Sequence, residues 1–311
     1  MQKFLNKIIC GDCIEILSKA AKPFADLIFA DPPFNIGYKY DKYNDKQKRE
    51  HYVEWTEKWM RACYNVLKKD GSFYIAIGDD YAANVKIIAD ELGLVMRNWI
   101  IWHYTFGQQT KNKFARAHTH IFYFVSDKKN YTFNDHAVRV PSDRQLIYND
   151  KRANPVGKMP DDVWNQHSRV CGTFKERQLW HPCQMPESVL KKIIAVSSNE
   201  NDCVLDPFNG SGTTAAAACQ MNRNYVGIDI SEDYVENTKK RLAQLKKQCG
   251  NSSFEVNEMK RLLSDMAITA KKITNDKNLL ELFTSQFSLR MNGRKQYNKE
   301  KIKSVLKDLA D

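Results

Sequence analysis

Apolar residues recur along this chain in two alternating rhythms. Short runs rich in branched and aromatic residues, at 7–10, 26–30, 72–77, 98–102, 121–125, 204–206 and 225–228, predict strands. Between them, residues 12–18, 50–67, 80–92, 186–197, 213–220 and 232–247 repeat apolar positions at helical spacing. The second of these helices stops at Lys68-Lys69-Asp70-Gly71, where cations and a glycine close a helix end. Strand and helix in alternation predict a parallel, doubly wound α/β sheet.

Two stretches break the rhythm. Residues 130–175 are polar, carry Asn, Pro and Gly, and hold Arg139, Arg144, Lys151, Arg152 and Lys158. They predict an inserted, loop-rich segment, and long irregular segments in enzymes are usually functional or disordered. Past Cys249 strand signals cease, and three short helices are expected at 254–270, 278–287 and 299–309. There Arg290, Arg294 and Lys295 cluster around Gly293, as a helix–turn–helix-like DNA contact or as a solvated basic appendage. The division expected is a main domain over 1–130 and 175–248, an insert over 131–174, and a basic helical region over 249–311.

Charge sharpens the picture. Lys and Arg exceed Asp and Glu by 11 in 311 residues, which favours a polyanionic partner, most simply nucleic acid. No run of about 18 apolar residues occurs, and Met1–Lys7 lacks a signal-peptide apolar region, so a cytoplasmic, nucleoid-associated protein is expected. Eight scattered cysteines read as reduced thiols. Cys10-Gly11-Asp12-Cys13 has no second pair at zinc-finger distance. His118 and His120 have no acid or Cys at ligand spacing, so no metal site is expected.

Candidate chemistry begins where the strand 26–30 ends, at Asp31-Pro32-Pro33-Phe34. A carboxylate and a backbone carbonyl there can accept hydrogen bonds from the exocyclic amine of a planar base. Phe34 can stack on that base, and the prolines, with fixed φ and no N–H, stiffen the turn. The second signal is Val204-Leu205-Asp206-Pro207-Phe208-Asn209-Gly210-Ser211-Gly212-Thr213-Thr214, a strand, a Gly-rich turn and an Ala-rich helix. It lets a backbone approach a ligand closely, but it lacks the third Gly of a dinucleotide loop and the Lys of a P-loop. The strand 225–228 then ends in Asp229, placed to accept ribose hydroxyls. A ribose and a small charged group without a pyrophosphate describe S-adenosylmethionine.

At these residues the chain resembles the β-class DNA amino-methyltransferases, most closely the adenine-N6 type, over roughly residues 5–248. The order of base-amine motif, recognition segment and cofactor loop is that family's. The resemblance implies a methyltransferase-type, Rossmann-like sheet of seven strands in permuted order, with one antiparallel strand, an inserted target-recognition segment and a C-terminal helical appendage. Position by position, Asp31, Pro32, Pro33 and Phe34 form the base-amine site. Asp206, Phe208, Gly210, Ser211, Gly212 and Thr213 line the methionine side of the cofactor, and Asp229 takes the ribose. Asp12 with the Cys13 backbone reads the cofactor adenine. His181-Pro182-Cys183-Gln184-Met185-Pro186 resembles the family's His-Pro-Thr-Gln-Lys-Pro and brings His181 to the cofactor. Cys183 for Thr and Met185 for Lys depart from it, and the second replaces an ammonium with a thioether.

The expected activity is methyl transfer to the N6 amine of a flipped-out adenine in duplex DNA. Cytosine-N4 methylation is the nearest alternative, and a DNA-binding module with a dead centre the next. Pro182-Cys183-Gln184 also spells the nucleophile motif of cytosine-C5 enzymes, but those place it after the Gly-rich loop. Tyr38 and Tyr40 are candidates for the base pocket, and a basic loop over 104–120 carries Gln108, Gln109, Lys111, Lys113 and Arg116 to DNA. Arg139, Arg144, Gln145, Arg152, Gln166 and Arg169 are the candidates for DNA contact in the insert. A homodimer and a cognate restriction endonuclease stay open as partners.

Overall fold

The computed structural model describes residues 4–105, 110–249, 254–291 and 297–310, the last two residues of the second span by their backbone alone. In chain order the elements begin β1 (Lys7–Cys10), α1 (Cys13–Ser18), β2 (Ala25–Ala30), α2 (Arg49–Val66), β3 (Leu67–Ile77) and α3 (Asp79–Glu91). Next come β4 (Val95–His103), β5 (His118–Val125), α4 (Asp143–Leu146), β6 (Val163–Trp164), α5 (Glu187–Ser197) and β7 (Cys203–Asp206). The chain continues through α6 (Thr213–Gln220), β8 (Asn224–Asp229), α7 (Glu232–Cys249), α8 (Phe254–Met266), α9 (Ala270–Asn275), α10 (Lys277–Arg290) and α11 (Lys299–Asp308).

Among the described residues eight strands form one sheet in the order β1-β8-β7-β2-β3-β5-β4-β6. The first five run parallel, and β5 alone opposes its neighbours. The expected seven strands and single antiparallel strand are present. The eighth, β6, is a two-residue edge strand inside the segment expected to be irregular, too short to carry a periodic signal. Strand β2 is apolar from Leu27 onward because both faces are covered there: Leu27, Ile28, Phe29 and Ala30 are all at most 1% exposed. Ala25 pairs with Leu67 and Leu27 with Ser72, so residues 68–71 loop out of the ladder where the helix-stop signal lies. Among the described residues no helix is long and apolar enough to cross a membrane.

The parallel strands end on one edge, where ligands of open α/β sheets bind. β2 pairs with β7 through Leu27–Val204 and Ile28–Leu205, which brings Asp31 and Asp206 to neighbouring strand ends. β8 continues the row, with Asp206 opposite Gly227 and Asp229 opposite Cys10.

The chain divides into two compact units. The larger holds the chain up to Phe133 and from Asp162 to Lys247. The smaller holds Asn134–Asp161 together with the chain from Gln248. The insert expected over 131–174 is therefore not a body of its own. Residues 134–161 join the C-terminal helices, and residues 162–174 belong with the sheet. In the smaller unit α8–α11 bury Leu262, Ile273, Phe283, Phe287, Ile302 and Leu306 around one core. Two buried arginines tie residues 134–161 to it: Arg261 donates to the Ala137 carbonyl, and Arg290 donates to the Arg139 carbonyl at 3.0 Å. Glu258 and Asp265 balance them, with Arg290 2.8 Å from Asp265. These internal ties are long in sequence and leave no periodic trace.

Candidate active site

Two turns and two strand ends enclose a cavity of about 430 Å³, within the size range of cofactor sites. Asp12, Cys13, Asp31, Pro32, Pro33, Phe34, His181, Asp206, Phe208, Gly210, Ser211, Thr213 and Asp229 all line it. Tyr38 and Tyr40 line it too. Gly212 instead shapes the turn: its φ is +73°, and a Cβ there would lie 2.4 Å from Thr238 Cγ2.

The Asp31–Phe34 turn is held from outside. Tyr52 of α2 donates its O–H to the Pro33 carbonyl at 2.5 Å. Buried Asp45 accepts from the backbone N–H groups of Asn35 at 2.7 Å, Ile36 at 3.2 Å and Tyr38 at 2.8 Å. Asn35 in turn donates to the Tyr81 hydroxyl at 2.7 Å. Sequence reasoning missed Asp45, Tyr52 and Tyr81, since nothing in their spacing ties them to the turn. Phe34 sits against Gly78, where a Cβ would come within 3.3 Å of its ring.

The Gly-rich turn is braced in the same way. Asp229 accepts from Gly210 N–H at 2.7 Å and Ser231 N–H at 2.9 Å, with lone pairs left for hydroxyl donors. Asp12 caps α1 through one oxygen, accepting from Ile14 and Glu15. Buried Arg241 of α7, also missed from sequence, donates to the Ser211 carbonyl at 2.8 Å and pairs with Glu187 at 2.8 Å. Phe208 packs edge-on against Trp59, with ring centres 5.1 Å apart.

Electrostatically the cavity favours a cation. Burial pushes both Asp31 and Asp206 up to about 7; the Asp206 charge adds to the rise at Asp31, and the Asp229 charge to that at Asp206. Burial also pushes the His181 imidazole down to about 4, so it is neutral near pH 7 and does not repel a positive ligand. Desolvation in the cavity wall, then the Asp31 charge, push the Cys183 thiol up to about 11. A protonated thiol is a poor nucleophile, which weighs against the C5 reading.

A profile of the DNA methylase family, N6/N4 type, matches residues 25–240. The chain belongs to the DNA methylase family. It is 36% identical over 239 residues to the type II methyltransferase M.HpaI of Haemophilus parainfluenzae, covering 76% of this chain and 74% of that one. It is 38% identical over 245 residues to the DNA adenine methyltransferase YhdJ of Escherichia coli (strain K12), covering 76% and 82%. Among solved structures, the M1.HpyAVI–SAM complex superposes with a TM-score of 0.54 at 24% identity, over 76% of this chain and 98% of that one. The cytosine-N4-specific PvuII DNA methyltransferase gives 0.58 at 17% identity, over 79% and 93%. These likenesses show that the fold is shared.

The methylase's expected DNA-contacting residues fall in different places. Arg116 and Arg169 line the cavity, Arg169 lying over the Tyr104 ring at 5.0 Å. Lys111 and Lys113 are exposed on the loop before β5. In the smaller unit Arg144 and Arg152 converge on Asp150, at 2.7 and 3.0 Å, and stay largely exposed. Arg139 is engaged internally, where its guanidinium donates to Asp135 at 2.8 Å and to the Gly157 carbonyl at 3.3 Å. Gln145 closes a capping box on Ser142. Arg290 is buried, so the basic cluster expected beside Gly293 loses one member; Gly293, Arg294, Lys295, Gln108 and Gln109 lie outside the described residues.

The sequence offered His118 and His120 no acid, but α3 brings Asp79 to them, at 3.2 and 2.9 Å. The cluster is nonetheless built as hydrogen bonds. Trp99 Nε1–H donates to His120 Nδ1 at 2.9 Å, which fixes the imidazole proton on Nε2, the atom facing Asp79. Arg116 occupies the other carboxylate oxygen at 2.8 Å.

Proposed function

We propose that this methylase transfers a methyl group to the N6 amine of an adenine turned out of duplex DNA. The observation that carries the reading is one cavity that joins Asp31-Pro32-Pro33-Phe34 to the Gly-rich turn and Asp229. S-adenosylmethionine is the cofactor and supplies an electrophilic methyl on a sulfonium. Asp206, Phe208 and the Gly210–Thr213 turn would hold its charged methionine end, Asp229 its ribose, and Asp12 its adenine.

An adenine amine is a weak nucleophile because its lone pair is delocalised into the ring. The Pro33 carbonyl is taken by Tyr52, so accepting from that amine falls to the Asp31 carboxylate and the Pro32 carbonyl. Two acceptors aimed at the nitrogen draw it toward tetrahedral geometry, and Phe34 stacks on the ring. Positioning and acceptors for developing charge supply the acceleration. Asp31, with its carboxyl near neutrality in the free protein, is placed to take the proton that the amine releases.

Arg144 and Arg152 are candidates for reading sequence from the smaller unit, and Lys111, Lys113, Arg116 and Arg169 for contact near the flipped base. A cognate restriction endonuclease as partner, and work on DNA in the cytoplasmic nucleoid, belong to the same proposal. The test is incubation with labelled cofactor and unmethylated genomic DNA, followed by single-molecule mapping of modified bases. N6-methyladenine at one recurring sequence is expected. N4-methylcytosine, or no transfer, overturns the reading.

A further inference from the structure

Turning a base out of a duplex leaves a gap in the stack, and something must hold it open. The described part of the loop before β5 offers one candidate. Phe114 is 99% exposed, the most exposed of the large apolar side chains among the described residues. It stands between Lys113 and Ala115 in a run, 111–115, that is exposed throughout and basic. Thr110 Oγ1 donates to the Lys113 carbonyl and closes a tight turn just before the ring.

The root of this loop is fixed beside the base pocket. Tyr104 N–H donates to the Ala117 carbonyl at 2.9 Å. Arg116 pairs with Asp79 at 2.8 Å, and that carboxylate is also held by His118 and His120. A Cβ at Gly78 would lie 3.3 Å from the Phe34 ring and 3.9 Å from Arg116 Nη1, so Arg116 and the stacking ring flank one glycine. Phe114 is two residues from Arg116, a chain reach of about 7 Å. An exposed aromatic ring therefore stands at the rim of the pocket, on an anchored base, between cations suited to phosphates.

We propose that Phe114 is the wedge that enters the duplex as the target adenine leaves it, filling the vacated stack while Lys111 and Lys113 hold the flanking phosphates. The inference rests on the adenine-methylation reading above. An aromatic ring suits this role because it replaces base stacking without asking for a hydrogen-bonding partner.

The test uses the full-length protein and two duplexes carrying the mapped recognition sequence. In one, thymine faces the target adenine; in the other, an abasic site does, so the adenine is already unpaired. Wild type, Phe114→Ala, Phe114→Leu and Phe114→Trp are compared in single-turnover methyl transfer, with exposed Ile87→Ala on α3 as a control. Phe114→Ala should slow transfer to the matched duplex by about tenfold or more and stay within about threefold of wild type on the abasic one. Phe114→Leu and Phe114→Trp should recover most of the loss. With 2-aminopurine at the target position, Phe114→Ala should blunt the fluorescence rise on binding. A variant as fast as wild type on the matched duplex, or slowed equally on both, overturns the wedge. Wild type inactive on both duplexes counts instead against adenine methylation.

Discussion

At the scale of single residues, two carboxyls govern what the site can do. Asp31 accepts from the amine in the proposed reaction, so Asp31→Ala should lower methyl transfer by about 10³-fold. Cofactor binding should weaken but survive in that variant, because Asp206 and the Gly-rich turn still hold the charged end. Equilibrium binding and transfer measured side by side separate the two, and undiminished transfer would remove Asp31 from the chemistry. Proton linkage follows from the same pair. Both carboxyls sit near 7 in the free protein, raised first by burial. A bound cation favours their charged forms and lowers both values. Cofactor affinity should therefore be greatest above pH 7 and fall as pH drops below it, with protons released on binding at pH 7. Calorimetry in buffers of different ionisation enthalpy reads the release; equal affinity at pH 6 and pH 8 would contradict it.

At the scale of elements, the glycine turn is held by shape and the helices around it by charge. Gly212→Ala places a side chain at φ +73° and a Cβ 2.4 Å from Thr238, so it should abolish cofactor binding and lower the melting temperature. Arg241 links α7 to the turn and to Glu187 at the start of α5. Removing one partner of a buried pair costs about 3–5 kcal/mol, and Lys191 stays 2.9 Å from Glu187, so Arg241→Met should fall at the low end in denaturant titration. A variant of unchanged stability would show that the pair does not brace the turn. These braces mark the limit of what was legible in the sequence. Strands, helices and the two turns announced themselves, because periodicity and Gly or Pro chemistry are local. Asp45, Tyr52, Tyr81 and Arg241 were silent, because each acts on a backbone that only the fold brings near. The same reason explains why Arg139 and Arg290 read as surface cations while the structure gives them carbonyls and acids to hold.

At the scale of the whole molecule, charge is shared unevenly. The smaller unit holds 17 of the Lys and Arg residues against 12 acids, so it supplies +5 of the chain's +11 from less than a third of its length. Each phosphate neutralised releases counterions, and the affinity falls with salt in proportion to their number. Binding to unrelated duplex DNA should therefore weaken about 10³-fold or more between 50 and 200 mM salt if six or more phosphates are met. A flat response would refute a basic DNA face. Phosphate and base contacts then part company under mutation. Lys111→Ala with Lys113→Ala should weaken all sequences alike and flatten the salt slope by about two. Arg144 and Arg152 differ, because a guanidinium fork can read a guanine edge. Both are exposed and both lean on Asp150, whose charge orients them. Arg144→Ala or Arg152→Ala should therefore relax the methylated sequence in genomic mapping, with the cofactor affinity of the larger unit unchanged. A map identical to wild type in both variants would move sequence reading to other residues.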